Sequence, residues 1–126
     1  MFKDYFKFNQ KEISLIFKYS KIKKQIDGLK LLQLPIEALK KIKPEELSNI
    51  FEKQIESNQG KILIITSRKV VKAHKRNKLR RQIKSIFYEE KLFKKPVISI
   101  LITYKQALNL TFEQLKEFLV KSFEQN

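Results

Sequence analysis

Apolar residues recur along this chain with two different periods, and each period marks a different kind of element. Asn9 can cap a first helix, with Glu12 completing a capping box and Phe8 stapling onto Ile13. Ile13, Ile16, Phe17 and Ser20 then follow at helical spacing, predicting a helix that ends between Ser20 and Lys24. Residues 22–34 run through Asp27-Gly28 into Leu29-Lys30-Leu31-Leu32-Gln33-Leu34 and read as one or two short strands. From Pro35 the period changes. Ile36, Leu39 and Ile42, then Leu47, Ile50, Phe51 and Ile55, recur at helical spacing, with Pro44 suited to a helix N1 position, so 35–56 reads as two short helices. Ser57-Asn58-Gln59-Gly60 forms a turn, and the β-branched run Lys61-Ile62-Leu63-Ile64-Ile65-Thr66-Ser67 has the length of a central strand.

The next segment, residues 70–88, is amphipathic in a different sense. On a helical wheel centred on Ile83, Leu79, Ile86 and Phe87 fall within about 60° of the centre, while Lys78, Arg81 and Ser85 point away. Lys94-Lys95-Pro96 breaks this helix. In the strand Val97–Thr103 that follows, Ile98, Ile100 and Ile102 are expected to face a core and Ser99 and Thr103 to face out. Thr111 with Gln114 makes a second capping box, and Phe112, Leu115, Phe118, Leu119 and Phe123 form the stripe of a last helix. The predicted order is α, β, β, an inserted pair of helices, β, basic α, β, α, with no internal repeat.

The chain has 126 residues, enough for one domain that buries roughly two-thirds of its unfolded surface. Ten Phe and four Tyr within a 42% hydrophobic share supply the core, so the charged residues decorate a folded domain rather than a disordered tail. The absence of Cys removes disulfides, thiolate metal sites and thiol nucleophiles together, and it suits a reducing compartment. The N-terminus has no signal-peptide apolar run, and no stretch approaches the roughly 20 apolar residues of a membrane span. A cytoplasmic location is the expectation.

Charge changes the picture more than composition does. Lys and Arg number 28 against 13 Asp and Glu, a net charge of +15 that a polyanionic partner would relieve. Nine of the cations, Arg68, Lys69, Lys72, Lys75, Arg76, Lys78, Arg80, Arg81 and Lys84, lie within seventeen positions that hold no acidic residue. A field focused in this way marks a binding surface. Lys75-Arg76-Asn77-Lys78-Leu79-Arg80-Arg81 also sits at the start of a helix, where free N–H groups and the positive end of the macrodipole favour phosphate. The guanidinium fork fits phosphate oxygens, and lysine adds point charge.

Catalytic chemistry is not encoded alongside. His74, the single histidine, sits among lysines with no neighbouring carboxylate to orient it, and reads as a solvated or phosphate-facing ring. Glu45-Glu46 and Glu89-Glu90 are adjacent pairs, which point in different directions on a helix and make poor acid/base or metal pairs. A two-metal nuclease would need a denser carboxylate cluster. No catalytic residue and no metal ligand is assigned.

The run Ser67-Arg68-Lys69-Val70-Val71-Lys72-Ala73-His74-Lys75-Arg76-Asn77-Lys78-Leu79-Arg80-Arg81 resembles the protein component of bacterial ribonuclease P. That family carries Ser-Lys-Lys, a Gly-x-Ala stretch, and an Arg-Asn-Arg core followed by Lys-Arg, in the same register without a gap. The first helix, with Phe17 and Lys18, looks like the family's opening helix, and Leu110-Thr111-Phe112-Glu113 looks like its closing segment. The similarity covers most of the chain apart from residues 35–59, which read as an insertion.

The resemblance implies a single-domain α+β fold over residues 1–126: an α/β sandwich with a four-stranded sheet, the basic helix crossing over left-handedly between the last two strands. The order is α-β-β-β-α-β-α, with the helical insert near residues 35–59. It also implies a role as the non-catalytic subunit that assists a catalytic RNA in removing the 5′ leader of precursor tRNA, with Mg²⁺ held mainly by the RNA and none by the chain alone. The implied partners are that RNA and precursor tRNA, without a membrane or an obligate protein partner. Arg76 and Asn77 carry over to the family's RNA-contacting core. Lys78 stands where the family usually has Arg, keeping the charge and losing the fork. Arg80 and Arg81 occupy the following basic pair, and Val71 stands in place of a glycine. The family grips the leader between the first helix and the sheet with aromatic residues. Phe17 matches one such position and Ile13 occupies another, whereas no tyrosine lies in Leu29–Leu34, where one is expected. Phe17 can equally be an ordinary core residue, and the stems of Arg76 and Arg80 can pack at the helix–sheet border.

Two other classes fit the charge pattern. A ribosomal or ribosome-assembly protein would use the same basic surface without an enzyme complex. A membrane-surface binder would need the apolar face of the basic helix, which is committed to the core and lacks Trp.

Overall fold

The computed structural model describes residues 5–42, 50–67 and 72–124. Helix α1 (Gln10–Tyr19) begins at the expected cap: the Asn9 side chain accepts from the Glu12 backbone N–H at 2.8 Å, and the Glu12 carboxylate accepts from the Asn9 N–H at 2.9 Å. Strands β1 (Lys21–Ile26) and β2 (Leu29–Pro35) form an antiparallel hairpin through Asp27 and Gly28. A one-turn helix α2 (Ile36–Leu39) and a six-residue helix α3 (Glu52–Ser57) represent the two short helices expected here; Pro44 and Leu47 lie outside the described residues. Asn58 closes α3 in the left-handed region with φ 56°, a conformation that asparagine tolerates well. Strand β3 (Lys61–Thr66), helix α4 (Ala73–Glu89), strand β4 (Val97–Thr103) and helix α5 (Phe112–Glu124) complete the chain.

The sheet order is β1-β2-β4-β3, with β3 parallel to β4 and every other pairing antiparallel. Parallel neighbours cannot be joined by a hairpin, so the chain crosses from β3 to β4 through α4. That crossover is the basic helix. One face of the sheet, with Leu29, Leu31, Ile62, Ile64, Val97 and Leu101, is covered by Leu79, Ile83, Ile86 and Phe87 of α4 and by Leu115, Phe118, Leu119 and Phe123 of α5. The other face, with Leu34, Ile98 and Ile100, packs against Leu15 and Ile16 of α1, Ile36 and Leu39 of α2, and Phe51.

Covering on both faces corrects one expectation. Ser99 and Thr103 do not face solvent; both are fully buried on the α4 and α5 side, alternating with Val97 and Leu101. Hydrogen bonding offsets the desolvation of both hydroxyls. The Ser99 hydroxyl accepts from the Gln33 amide at 3.1 Å, and the Thr103 hydroxyl donates to the Ile65 carbonyl at 3.2 Å.

Lys61 places α1. Buried at the foot of β3, it donates to the Lys7 carbonyl, lies 3.6 Å from the Glu12 carboxylate, and holds its ammonium 4.3 Å from the centroid of the Phe8 ring. A charge buried with this many partners ties the segment before α1 to the sheet.

Candidate nucleic-acid interface

Helix α4 divides its work between its faces. Leu79, Ile83, Ile86 and Phe87, at i, i+4, i+7 and i+8, are buried, and Phe87 meets Phe6, Tyr5 and Phe123 edge-on with ring centroids 5.6–6.1 Å apart. Aromatic edge contacts of this kind add to simple burial and bolt the helix to α5 and to the segment before α1. The opposite face carries the cations. His74, Lys75, Asn77, Lys78, Arg80 and Arg81 are exposed, while Arg76 and Lys84 are half-buried. Among the described residues no carboxylate pairs with Lys75, Lys78, Arg80 or Arg81, so their charge is directed outward.

The start of α4 adds to this field. Lys72 is the N-cap in extended conformation, its side chain makes no capping hydrogen bond, and the first turn holds no acidic residue. Neither the Lys72 side chain nor the first turn offsets the positive end of the helix, an arrangement that favours anions. Along one flank, His74, Asn77, Arg80, Arg81 and Lys84 line a shallow groove of about 460 Å³. Lys84 is held there by its position 5.3 Å over the Phe6 ring. Along the other flank, Lys75, Lys78 and Gln82 face the turn that follows β4 across a slot of about 200 Å³. The structure therefore gathers Lys72, Lys75, Arg76, Asn77, Lys78, Arg80, Arg81 and Lys84 on one element; Arg68, Lys69 and Val71 lie outside the described residues. The stem of Arg76 is half-buried, as a position at the helix–sheet border would require, and Arg80 is exposed.

A second surface lies across the sheet. Ile13 and Phe17 sit one turn apart on α1, Ile13 half-buried and Phe17 with 47% of its surface exposed, so Phe17 is not a core residue. On the same side of the sheet Leu32, Leu63, Ile65 and Ile102 are only half-buried, and Ile22, the cross-strand partner of Leu32, is 57% exposed. These sheet residues escape sequence reasoning. The signal is present in the two-residue spacing of Leu63 and Ile65, but the continuous apolar run of β3 conceals which face is open. Among the described residues no three His, Asp or Glu side chains come together to hold a metal ion, and no helix is long and apolar enough to cross a membrane.

Comparison with known proteins places this geometry. The family model described as Ribonuclease P matches residues 36–126. No curated protein matches the chain. Among solved structures, the Staphylococcus aureus RNase P protein superposes with a TM-score of 0.68 at 18% identity, over 95% of this chain and 93% of that one. A Staphylococcus aureus RNase P protein mutant with defective mRNA degradation activity gives 0.71 at 19% identity, over 97% and 87%. The Thermotoga maritima RNase P protein in complex with 1-(4-fluorophenyl)-2-thiourea gives 0.65 at 22% identity, over 91% and 94%. At such identities the structures share the fold.

Proposed function

The chain belongs to the ribonuclease P protein family and is the non-catalytic protein subunit of that enzyme, and from this premise we propose how its two surfaces serve tRNA 5′ maturation. It associates with the RNA of ribonuclease P. The outer face of α4, from Lys72 to Lys84, anchors that RNA through its phosphates. The half-open apolar surface beside Phe17 and Ile13 holds the 5′ leader of precursor tRNA, across the sheet from the anchor. The observation that carries this reading is the set Lys75, Lys78, Arg80 and Arg81, without a carboxylate partner among the described residues, on a helix whose other face is locked into the core.

The work of the chain's own residues is to bind and orient. Arg80 and Arg81 offer guanidinium forks to phosphate oxygens, Lys75 and Lys78 add point charge, and Asn77 offers an amide between them. In this reading Mg²⁺ is held mainly by the RNA. The setting is the cytoplasm, where catalytic RNA and precursor tRNA meet. The RNA that copurifies with the protein tests the assignment. One discrete catalytic RNA is expected, and ribosomal RNA in its place would return the chain to the ribosome-assembly class.

A further inference from the structure

The slot on the far flank of α4 combines features that a phosphate-binding helix alone does not need. Its walls are apolar: Leu79 from the helix, and Ala107, Leu108 and Leu110 from the turn after β4. Its rim is cationic, with Lys75 and Lys78 one turn or less apart. Gln82 lines it as well, half-buried, and its amide has no partner among the described residues. That leaves its carbonyl oxygen to accept from, and its NH₂ group to donate to, a ligand in the slot.

The wall opposite the helix is preformed. Residues Lys105–Asn109 make a 3₁₀ turn in which Ala107 is buried, with its N–H donating to the Tyr104 carbonyl at 2.9 Å. The Tyr104 N–H in turn donates to the Gly28 carbonyl at 2.9 Å, and Gly28 lies so close that a Cβ there would stand 2.5 Å from the Ala107 nitrogen. Beyond the turn, Thr111 and Gln114 cap α5 reciprocally at 2.9 and 3.1 Å. The hairpin and the cap thus hold both ends of this wall.

We infer that this slot takes one unpaired nucleotide of the RNA subunit, its base between Leu79 and the 105–110 turn, its edge hydrogen-bonded to Gln82, and its phosphate between Lys75 and Lys78. The inference rests on the proposed RNA-anchoring role of α4 and adds a base contact to it. Apolar walls on the helix and the turn beneath a cationic rim suit a flat ring system that carries a phosphate. The amide, able both to donate and to accept, reads a base edge, which phosphate contacts cannot do. An apolar ligand would leave the lysine rim unused, and a free anion would leave the leucine walls unused.

The test uses Gln82→Leu, which removes the amide at similar size, and Leu108→Trp, which plugs the slot without altering charge. Binding of the catalytic RNA is measured at several salt concentrations, with base reactivity toward dimethyl sulfate read along the RNA and folding checked by circular dichroism. Each variant should bind about tenfold more weakly, as expected when a half-buried hydrogen bond is removed or the base is shut out of its apolar walls, with the salt slope unchanged. One unpaired base protected by the wild-type protein should become reactive with both variants. If either variant misfolds, the other carries the test alone. Wild-type affinity and an unaltered protection pattern in a folded variant would overturn the slot while leaving the anchoring role intact. Failure of the wild-type protein to bind the RNA at all would overturn both.

Discussion

Truncating a buried aromatic costs about 3–5 kcal/mol, and Phe17, nearly half exposed on α1, lies outside that regime. Phe17→Ala should therefore lower stability by no more than about 1 kcal/mol, as for exposed positions away from special contacts. If Phe17 stacks on a leader nucleotide, the same change should weaken precursor tRNA binding to the assembled particle by about 1–3 kcal/mol. Because no charge is removed, the salt slope should hold and mature tRNA should bind as before. Equal weakening of precursor and mature tRNA by a folded variant would move the leader elsewhere. Gly28 makes a different point at the same scale. Its φ of 95° is one that residues with a side chain rarely adopt, and the space its Cβ would need is filled by the backbone of Gln106 and Ala107. Backbone strain of this kind costs about 1–3 kcal/mol before the clash is counted. Gly28→Ala should lower the thermal midpoint by several degrees in a scan of the isolated domain; an unchanged midpoint would show that the turn after β4 can shift away freely.

At the scale of elements, the phosphate-anchoring role proposed for α4 should be readable as salt dependence. Removing one cation that neutralises a phosphate should lower the slope of log affinity against log salt by somewhat under one unit, whether the partner is duplex or single-stranded. Arg80→Ala combined with Arg81→Ala should flatten the slope of RNA binding accordingly. Lys121→Ala supplies the control: Lys121 lies on α5, its ammonium 2.7 Å from the Glu117 carboxylate, which raises the pKa of Lys121 and lowers that of Glu117. Removing it deletes a charge already balanced locally, so Arg76→Ala should weaken RNA binding more than Lys121→Ala. Equal losses in a titration of the two would reduce α4 to general charge.

The same elements show what the sequence makes legible. Both capping boxes form as read, because the cap residue and its reciprocal partner are three positions apart and need no tertiary context. Helix α4 is legible because its stripe, Leu79 to Phe87, recurs at helical spacing while Lys75, Lys78, Arg80 and Arg81 stay exposed beside and behind it. Strand β4 is harder: alternation marks Ile98, Ile100 and Ile102 as inward, but whether Ser99 and Thr103 face water depends on α4 and α5 covering the second face. Phe112 shares the stripe of α5 yet is 38% exposed, since a stripe predicts direction and not how far the neighbouring core extends. The half-open sheet surface near Leu32, Leu63 and Ile102 is likewise set by how α1 is placed, through contacts such as that of Lys61 with the Lys7 carbonyl, more than fifty residues apart in sequence.

At the scale of the molecule, the sheet separates the two surfaces, with α4 packed on one face and α1 on the other. Sites that share no partners add their effects. Phe17→Ala in combination with Arg80→Ala and Arg81→Ala should then weaken precursor binding by the sum of the separate losses, to within about 0.5 kcal/mol; a larger departure in the cycle would mean that both surfaces grip one RNA element. The net charge of +15 gives the molecule its general attraction for RNA, and the outward placement of Lys75, Lys78, Arg80 and Arg81 on α4 directs it. The central claim is that this chain serves a catalytic RNA and performs no cleavage itself. The most direct measurement is correct 5′ cleavage of precursor tRNA at low magnesium by bacterial ribonuclease P RNA, by this protein, and by the two together. Cleavage at the mature 5′ end only in the combined reaction is the expected result. Cleavage at that site by the protein with an inactivated RNA, or no gain when the protein joins the active RNA, would contradict it.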